Sequence, residues 1–322
     1  MLPEGFQRMN ELGSRRNPFL FILDFDLKKP LVFTQKEACE AGILYQLHDR
    51  SNVPTTPISD ISFSFEKTPI GLDIYQKAFN VVMHHLNMGN SYLVNLTFPT
   101  RLETNLSLRD IFFRSRARYK LLVPDQFVVF SPEIFLRIED RIISSNPMKG
   151  TIDAAVPNAT EVLLGNPKEL AEHYTIVDLI RNDLNSVAKQ VRVEKFRYVE
   201  EIDTNLTRLL QVSSLISGIL PADYPSHLGE ILYRVLPAGS ISGAPKKRTV
   251  DIIHEAEQYD RGYYTGVMGY FDGSSLDSGV MIRFIEETPD GKVFKSGGGI
   301  TSKSLLMEEY KEIIDKVYVP FT

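Results

Sequence analysis

The chain has 322 residues, 43% hydrophobic and 24% charged, which is enough apolar material for a large core and too much for disorder. Its net charge of -5, with lysines and arginines scattered rather than gathered in a stripe, argues against nucleic acid as a partner. The most apolar early run, "FLFILDF", is far too short to span a bilayer and no signal-type core precedes it, so a cytoplasmic protein without membrane contact is expected.

In chain order, "DIYQKAFNVVMHHLNM" (residues 73 to 88) carries apolar residues at helical spacing, and "SYLVNLTF" after it reads as a strand. A helix near 107 to 117 and strands near 126 to 130, 133 to 138 and 141 to 145 follow. Pro167 suits the first turn of a long helix at about 167 to 188. Strands near 191 to 202 and 207 to 219 precede helices near 225 to 234 and 245 to 258. The C-terminal third gives strands near 264 to 271, 278 to 286 and 292 to 297, then a closing helix near 304 to 317. Strand-rich segments broken by helices without regular βαβ alternation predict an α+β fold with large mixed or antiparallel sheets. Nothing resembles a linker or a repeat, so residues 1 to 322 are expected to form one continuous domain.

Cysteine and histidine chemistry is thin. The single cysteine, Cys39, excludes an internal disulfide and a cysteine-based zinc site, and "KEACEAG" suits an idle thiol better than a nucleophile. "HEAEQ" at 254 lacks the second histidine of a zincin, and the adjacent His84 and His85 point to different helix faces. Four other clusters carry chemistry. Glu169 and Glu172 in "PKELAEHYTIVDLIRNDL" lie three apart on one helix face, as do Glu309 and Glu312 in "MEEYKEIIDKV", with Lys316 one turn further along. The two pairs suit either solvated helix faces or the oxygen ligands of a magnesium ion. "KSGGGITSKS" places three glycines between a strand and the last helix, fit for a ligand cradle or a plain turn. "GSISGAPKKR" is not a P-loop, because Ala244 and Pro245 separate its second glycine from Lys246. Lys149, in "SSNPMKGTID", is on its own either a reactive amine or a solvated turn residue.

Together, "SYLVNLT", "FSPEIFL", "PMKGTID", "ELAEHYTIVDLIRNDL", "GSISGAPKKR", "RGYYTGVMGYFDG", "MIRF", "GGGI" and "EEYKEIIDK" resemble the chorismate-utilising enzymes, in the family's order and from about residue 72 to 318. That family comprises anthranilate synthase large subunits, aminodeoxychorismate synthase component I, and the isochorismate and salicylate synthases. The resemblance implies two large, mostly antiparallel sheets forming a sandwich flanked by helices, with the site in the cleft between them and residues 1 to about 70 completing the sheets. It implies that Glu169, Glu172, Glu309 and Glu312 surround Mg2+, and that Tyr264, Arg283, Lys316 and the backbone of Gly297, Gly298 and Gly299 receive substrate carboxylates. Ser240 and Thr151 become hydrogen-bond contacts, and Glu133 the general acid at the departing C4 hydroxyl of chorismate, a task for a carboxyl with a raised pKa.

Lys149 separates the branches. Anthranilate and isochorismate synthases normally have alanine there, whereas "P-[IM]-K-G-T" looks like aminodeoxychorismate synthase. The resemblance then implies that the amine adds to C2 of chorismate as the 4-hydroxyl leaves, and that ammonia adds at C4 and expels it. Leu93 stands where the water-using branch has a lysine base, which leaves ammonia as nucleophile. Because Cys39 is not in a nucleophile turn, the ammonia is expected from a separate glutamine amidotransferase subunit. The expected function is therefore aminodeoxychorismate synthase component I, in para-aminobenzoate and folate biosynthesis. The alternatives are an anthranilate synthase large subunit and a non-catalytic relative binding a small dicarboxylate. Three departures stand out: Gln211 replaces a histidine of many relatives, Lys303 and Leu305 replace an acidic stretch, and the part before about residue 70 is short. The last leads us to expect no feedback inhibition by tryptophan.

Overall fold

Apolar strands covered on both faces organise the molecule. The structure, a computed structural model, describes residues 2–55, 62–203 and 208–321, without the side chains of Lys149, Lys168, Ile202 and Asp203. Among the described residues the strands make two nine-stranded sheets whose ladders are antiparallel. The first sheet runs in the order Met148–Asp153, Arg208–Ile219, Ile142–Ser145, Ile134–Glu139, Leu276–Val280, Val267–Phe271, Phe19–Leu23 and Leu31–Thr34, with Lys189–Asp203 also paired to Arg208–Ile219. The second runs Gly243–Ala244, Leu93–Glu103, Gly291–Ile300, Phe284–Thr288, Phe127–Ser131, Tyr119–Val123, Leu44–Leu47 and Arg50–Ser51, with Glu66–Thr68 beside Leu93–Glu103. Segments before residue 70 thus enter both sheets.

Successive strand residues point to opposite faces, and here both faces meet apolar neighbours. In "FLFIL", Leu20 and Ile22 pack with Leu121, Val129 and Phe284 of the second sheet, closing the sandwich. Phe19, Phe21 and Leu23 face the other way, into a cluster with Phe6 and Met9 of helix Glu4–Ser14 and Leu228 and Leu232 of helix Leu228–Val235. "FVVFS" repeats the pattern: Phe127 and Val129 look into the sandwich, while Val128 and Phe130 join Ile111 and Phe112 of helix Leu108–Arg114. Each such side chain contributes about 1.5–3 kcal/mol of transfer free energy.

The predicted elements fall close to the observed ones from helix Leu72–Asn87 to helix Leu306–Asp315, apart from helix Ala159–Gly165, which has no counterpart in the sequence reading, and the differences that follow. The strand read at 278 to 286 is two strands in different sheets, because Arg283 adopts φ +55 and turns the chain from one sheet to the other. "KSGGGI" is not a loop: Gly297, Gly298 and Gly299 pair with Thr97, Leu96 and Asn95 inside strand Gly291–Ile300. "MKGTID" is a strand rather than a turn, bulged at Gly150, whose φ is +72. The helix near 107 to 117 stops at Arg114, and a strand at Tyr119–Val123 was not read from the sequence. The second strand of the long hairpin begins at Arg208, and the residue 207 of the sequence reading lies outside the described residues.

Candidate active site

Two crossings between the sheets build one half of the site. The chain leaves the second sheet at Ser131 and enters the first at Ile134, placing Glu133 at the corner. It returns from Val280 to Phe284, placing Arg283 at the opposite corner. The corners are tied together, since Val280 N–H donates to the Glu133 carbonyl at 3.1 Å and Phe130 N–H donates to the Arg283 carbonyl at 3.1 Å, while Thr265 N–H donates to the Met281 carbonyl at 2.8 Å and brings the Tyr264 segment beside them. Tyr264, buried at 3% exposure, lies close enough to both for their charges to act on its phenol. Burial raises that phenol above its ordinary value, opposed by Arg261 and Arg283 and reinforced by Glu257 and Glu133, so the hydroxyl stays a neutral donor. Ser240, in the helical turn Gly239–Ser242, donates its hydroxyl to Glu133 Oε1 at 2.5 Å. The turn is held because Gly243–Ala244 behind it pairs with Leu93–Val94. Leu93 is buried at 2% exposure and offers no group that could take a proton.

The glycine strand and the closing helix build the other half. Pairing of Gly291–Ile300 with Phe284–Thr288 ends at Lys295 opposite Phe284, so the glycines use only their Leu93–Glu103 edge in the observed ladders. Helix Leu306–Asp315 packs over them. A Cβ at Gly298 would sit 3.5 Å from Glu312 Oε1 and 3.7 Å from Glu309 Oε2, so both carboxylates approach the strand at this residue. Lys316 Nζ donates to the Gly297 carbonyl at 2.9 Å and pairs with Glu312 Oε1 at 2.6 Å. Arg283 stacks over Tyr318 at 5.1 Å, two residues beyond Lys316, which brings the Arg283 corner to this helix.

The second glutamate pair sits on helix Pro167–Asn185, with Glu172 buried and Glu169 half-buried. A Cβ on Gly150 would lie 3.4 Å from Glu169 Oε2, so the bulged strand Met148–Asp153 runs directly beside this carboxylate. Thr151 is exposed and in register with Gln211, while Lys149 is in register with Val212; the Lys149 side chain lies outside the described residues. Further along the helix, Asp183 pairs with Lys246 at 2.7 Å, and Lys246 also donates to the Val235 carbonyl at 2.7 Å. Burial pushes the Asp183 carboxyl up and the Lys246 amine down, their mutual attraction opposing both. A cavity of about 20 Å³, room for one water, is lined by Glu133, Ser145, Pro147, Ile180, Asp183 and Ser240 and links this helix to the Glu133 corner. Lys246 and Arg261, in "GAPKKR" and "RGYYTG", have no role legible in the sequence, because Asp183 and Asn95, which they bond, are distant in the chain.

Among the described residues no three His, Cys, Asp or Glu side chains are grouped closely enough to hold one metal ion, so the four glutamates stand as two pairs. The donor set still fits magnesium, which takes hard oxygen ligands and is usually held by one or two carboxylates, with waters and substrate oxygens completing its shell. Glu309 and Glu312, meeting at Gly298, are such a pair.

The chorismate binding enzyme family matches residues 27–321. An uncharacterized PabA-like protein of Pasteurella multocida is 50% identical over 98% of this chain and 97% of its own length. Aminodeoxychorismate synthase component 1 of Bacillus subtilis is 31% identical over 78% of this chain, which spans 55% of that longer protein. Two solved structures share the architecture: anthranilate synthase component I of Streptococcus pneumoniae (TM-score 0.70, 21% identity, 92% of this chain and 79% of that one) and the menaquinone-specific isochorismate synthase of Escherichia coli (TM-score 0.74, 16% identity, 97% and 79%). At these identities the structures speak for the fold alone. The match over nearly the whole length and the sandwich it predicts together establish that the chain belongs to the chorismate-binding enzymes, with aminodeoxychorismate synthase component 1 among its near relatives.

Proposed function

We propose that the chain is the chorismate-aminating component of an aminodeoxychorismate synthase, converting chorismate and ammonia to 4-amino-4-deoxychorismate on the route to para-aminobenzoate. The observation that carries this reading is "PMKGTID" itself: a lysine-bearing strand, bulged at a positive-φ glycine, beside the carboxylate of Glu169. A neutral amine at that place splits one difficult substitution into two easier ones. Lys149 Nζ forms a bond to C2, both ring double bonds shift along by one position, and the C4–O bond breaks as Glu133 delivers its proton to the departing hydroxyl, which leaves as water. Ammonia then bonds to C4, both double bonds shift back, the C2–N bond to Lys149 breaks, and a proton from the new ammonium restores Glu133.

The remaining residues bind and orient. Arg283, Tyr264 and Lys316 receive carboxylate oxygens, with the free edge of Gly297 to Gly299 supplying backbone donors. Thr151 and Ser240 offer hydroxyl contacts, Ser240 through its bond to Glu133. Glu309 with Glu312 on helix Leu306–Asp315, and Glu169 with Glu172 on helix Pro167–Asn185, would hold magnesium, which when bound neutralises a substrate carboxylate. A separate glutamine amidotransferase subunit supplies ammonia, and Cys39, exposed in the short helix Gln35–Glu40, takes no part.

The test is to incubate the pure chain with chorismate, magnesium and ammonium, and to analyse products with and without added aminodeoxychorismate lyase. Product that the lyase converts to para-aminobenzoate is expected; fluorescent anthranilate made without the lyase sinks the reading. Lys149→Ala should abolish turnover. If it keeps full activity with ammonium, the covalent step is wrong.

A further inference from the structure

We infer that Arg261, outside the substrate-contacting set, is a positioning residue that holds the Ser240 turn, the Tyr264 segment and the glycine strand's neighbour in one register. Its guanidinium is buried, at 3% exposure, and reaches three separate pieces of chain. Nη1 donates to the Ile241 carbonyl at 3.0 Å, one residue after Ser240, and to Thr265 Oγ1 at 3.2 Å, one residue after Tyr264. Nη2 donates to the Asn95 carbonyl at 2.6 Å, in the strand that pairs with Gly297 to Gly299.

Its counter-ion extends the same frame. Glu257 accepts from Arg261 Nε at 2.8 Å and Nη2 at 2.5 Å, and also from Thr97 N–H at 2.8 Å and Thr97 Oγ1 at 3.0 Å. Thr97 is the register partner of Gly297. Phe25 closes the guanidinium from the side, 4.5 Å from its ring. A buried ion pair is poor evidence for stability, because apolar replacements are often as stable. What an apolar pair cannot do is donate to carbonyls and a hydroxyl from three segments at fixed angles, which a planar fork does. Arg261 therefore acts on the reaction through the Ser240–Glu133 hydrogen bond rather than through substrate.

This rests on the proposed amination, so the test carries a readout independent of turnover. Arg261→Lys keeps the charge beside Glu257 but cannot reach all three segments. In the crystal structure of that variant, the Ser240 Oγ to Glu133 contact is expected to open beyond hydrogen-bond distance. Retention of the contact at its present length overturns the inference whether or not the wild type aminates chorismate. In kinetics, kcat should fall at least tenfold while KM for chorismate changes less than threefold. The loss in Arg261→Lys/Ser240→Ala should equal that of Ser240→Ala alone, because both changes act through one bond. Additive losses, or a folded Arg261→Lys variant with wild-type kcat, refute it. Should Arg261→Lys fail to fold, Thr265→Val, which removes one of its contacts, takes its place with the same two readouts and smaller expected effects.

Discussion

Adjacent glycines in the same strand should respond to the same substitution in opposite ways. At Gly297 a Cβ would sit 2.4 Å from Thr97 Cγ2, 2.8 Å from the Leu96 carbonyl and 3.0 Å from Asn95 Oδ1. Thr97 cannot swing aside, because its N–H and hydroxyl are both bonded to buried Glu257. Overpacking of this kind costs about 1–3 kcal/mol. At Gly298 the nearest atoms are the Glu312 and Glu309 carboxylate oxygens at 3.5 and 3.7 Å, ordinary contact distances, and the residue is not in the positive-φ region. There a methyl group costs little in the fold, and the stiffer unfolded chain returns about 0.4–1 kcal/mol. The same methyl occupies the space in front of both carboxylates. Gly298→Ala is therefore expected to match or exceed wild-type stability in urea while losing at least about tenfold in turnover, equivalent to about 1.4 kcal/mol in the barrier. Gly297→Ala is expected to lose stability by the amount above. Wild-type turnover in folded Gly298→Ala, or an unchanged urea midpoint in Gly297→Ala, would refute the reasoning.

Two further outcomes follow from buried charges. Lys120 lies under helix Leu108–Arg114, bonded to the Ser115 carbonyl at 2.7 Å, and burial lowers its amine to about 8 from 10.5. The unfolded chain then holds the extra proton between those values, so stability should rise from pH 8 toward 10, by at most about 3 kcal/mol. The rise ends near 10, where buried Tyr45, Tyr75 and Tyr119, raised above that value, keep protons the unfolded chain gives up. Urea unfolding across this range should show the rise in the wild type and a smaller one in Lys120→Met, where Lys246 with its lowered amine still contributes; an equal rise in both would point to other groups. Lys246→Met leaves Asp183 buried without its 2.7 Å partner and should cost about 3–5 kcal/mol, whereas Asp183→Leu/Lys246→Met should recover most of it. A double variant no more stable than the single one, measured by thermal or urea unfolding, contradicts this.

The longer helices from Leu72 onward and many of the strands were legible because periodicity is a local signal, whereas the short helices Ala159–Gly165 and Gly239–Ser242 give too few turns to show one. The glutamate pairs were legible for the same reason, as a spacing of three on a helix needs no knowledge of the rest of the chain. What escaped depends on distant partners. "KSGGGI" contains the residues of a turn, and only the Leu93–Glu103 strand opposite makes it an extended segment. "MKGTID" is a strand because Arg208–Ile219 pairs with it around a bulge. The split near 281 to 283 hinges on one left-handed backbone angle at Arg283, which a run of apolar residues conceals. Lys246 and Arg261 were in quoted motifs, but their contacts lie as far off as Asp183 and Asn95.

The two sheet crossings at Glu133 and Arg283 make the site a gauge of the whole sandwich. On the proposed assignment, the proton donor and the anion receptor precede strands that enter opposite layers, so any sliding or swelling between the layers changes the separation of the two groups. Tyr45 against Tyr270, with rings 5.6 Å apart, belongs to the packing that sets this spacing. Core residues that touch no substrate thereby acquire influence over catalytic timing, and a worn interior would be felt as misaligned chemistry before it was felt as unfolding.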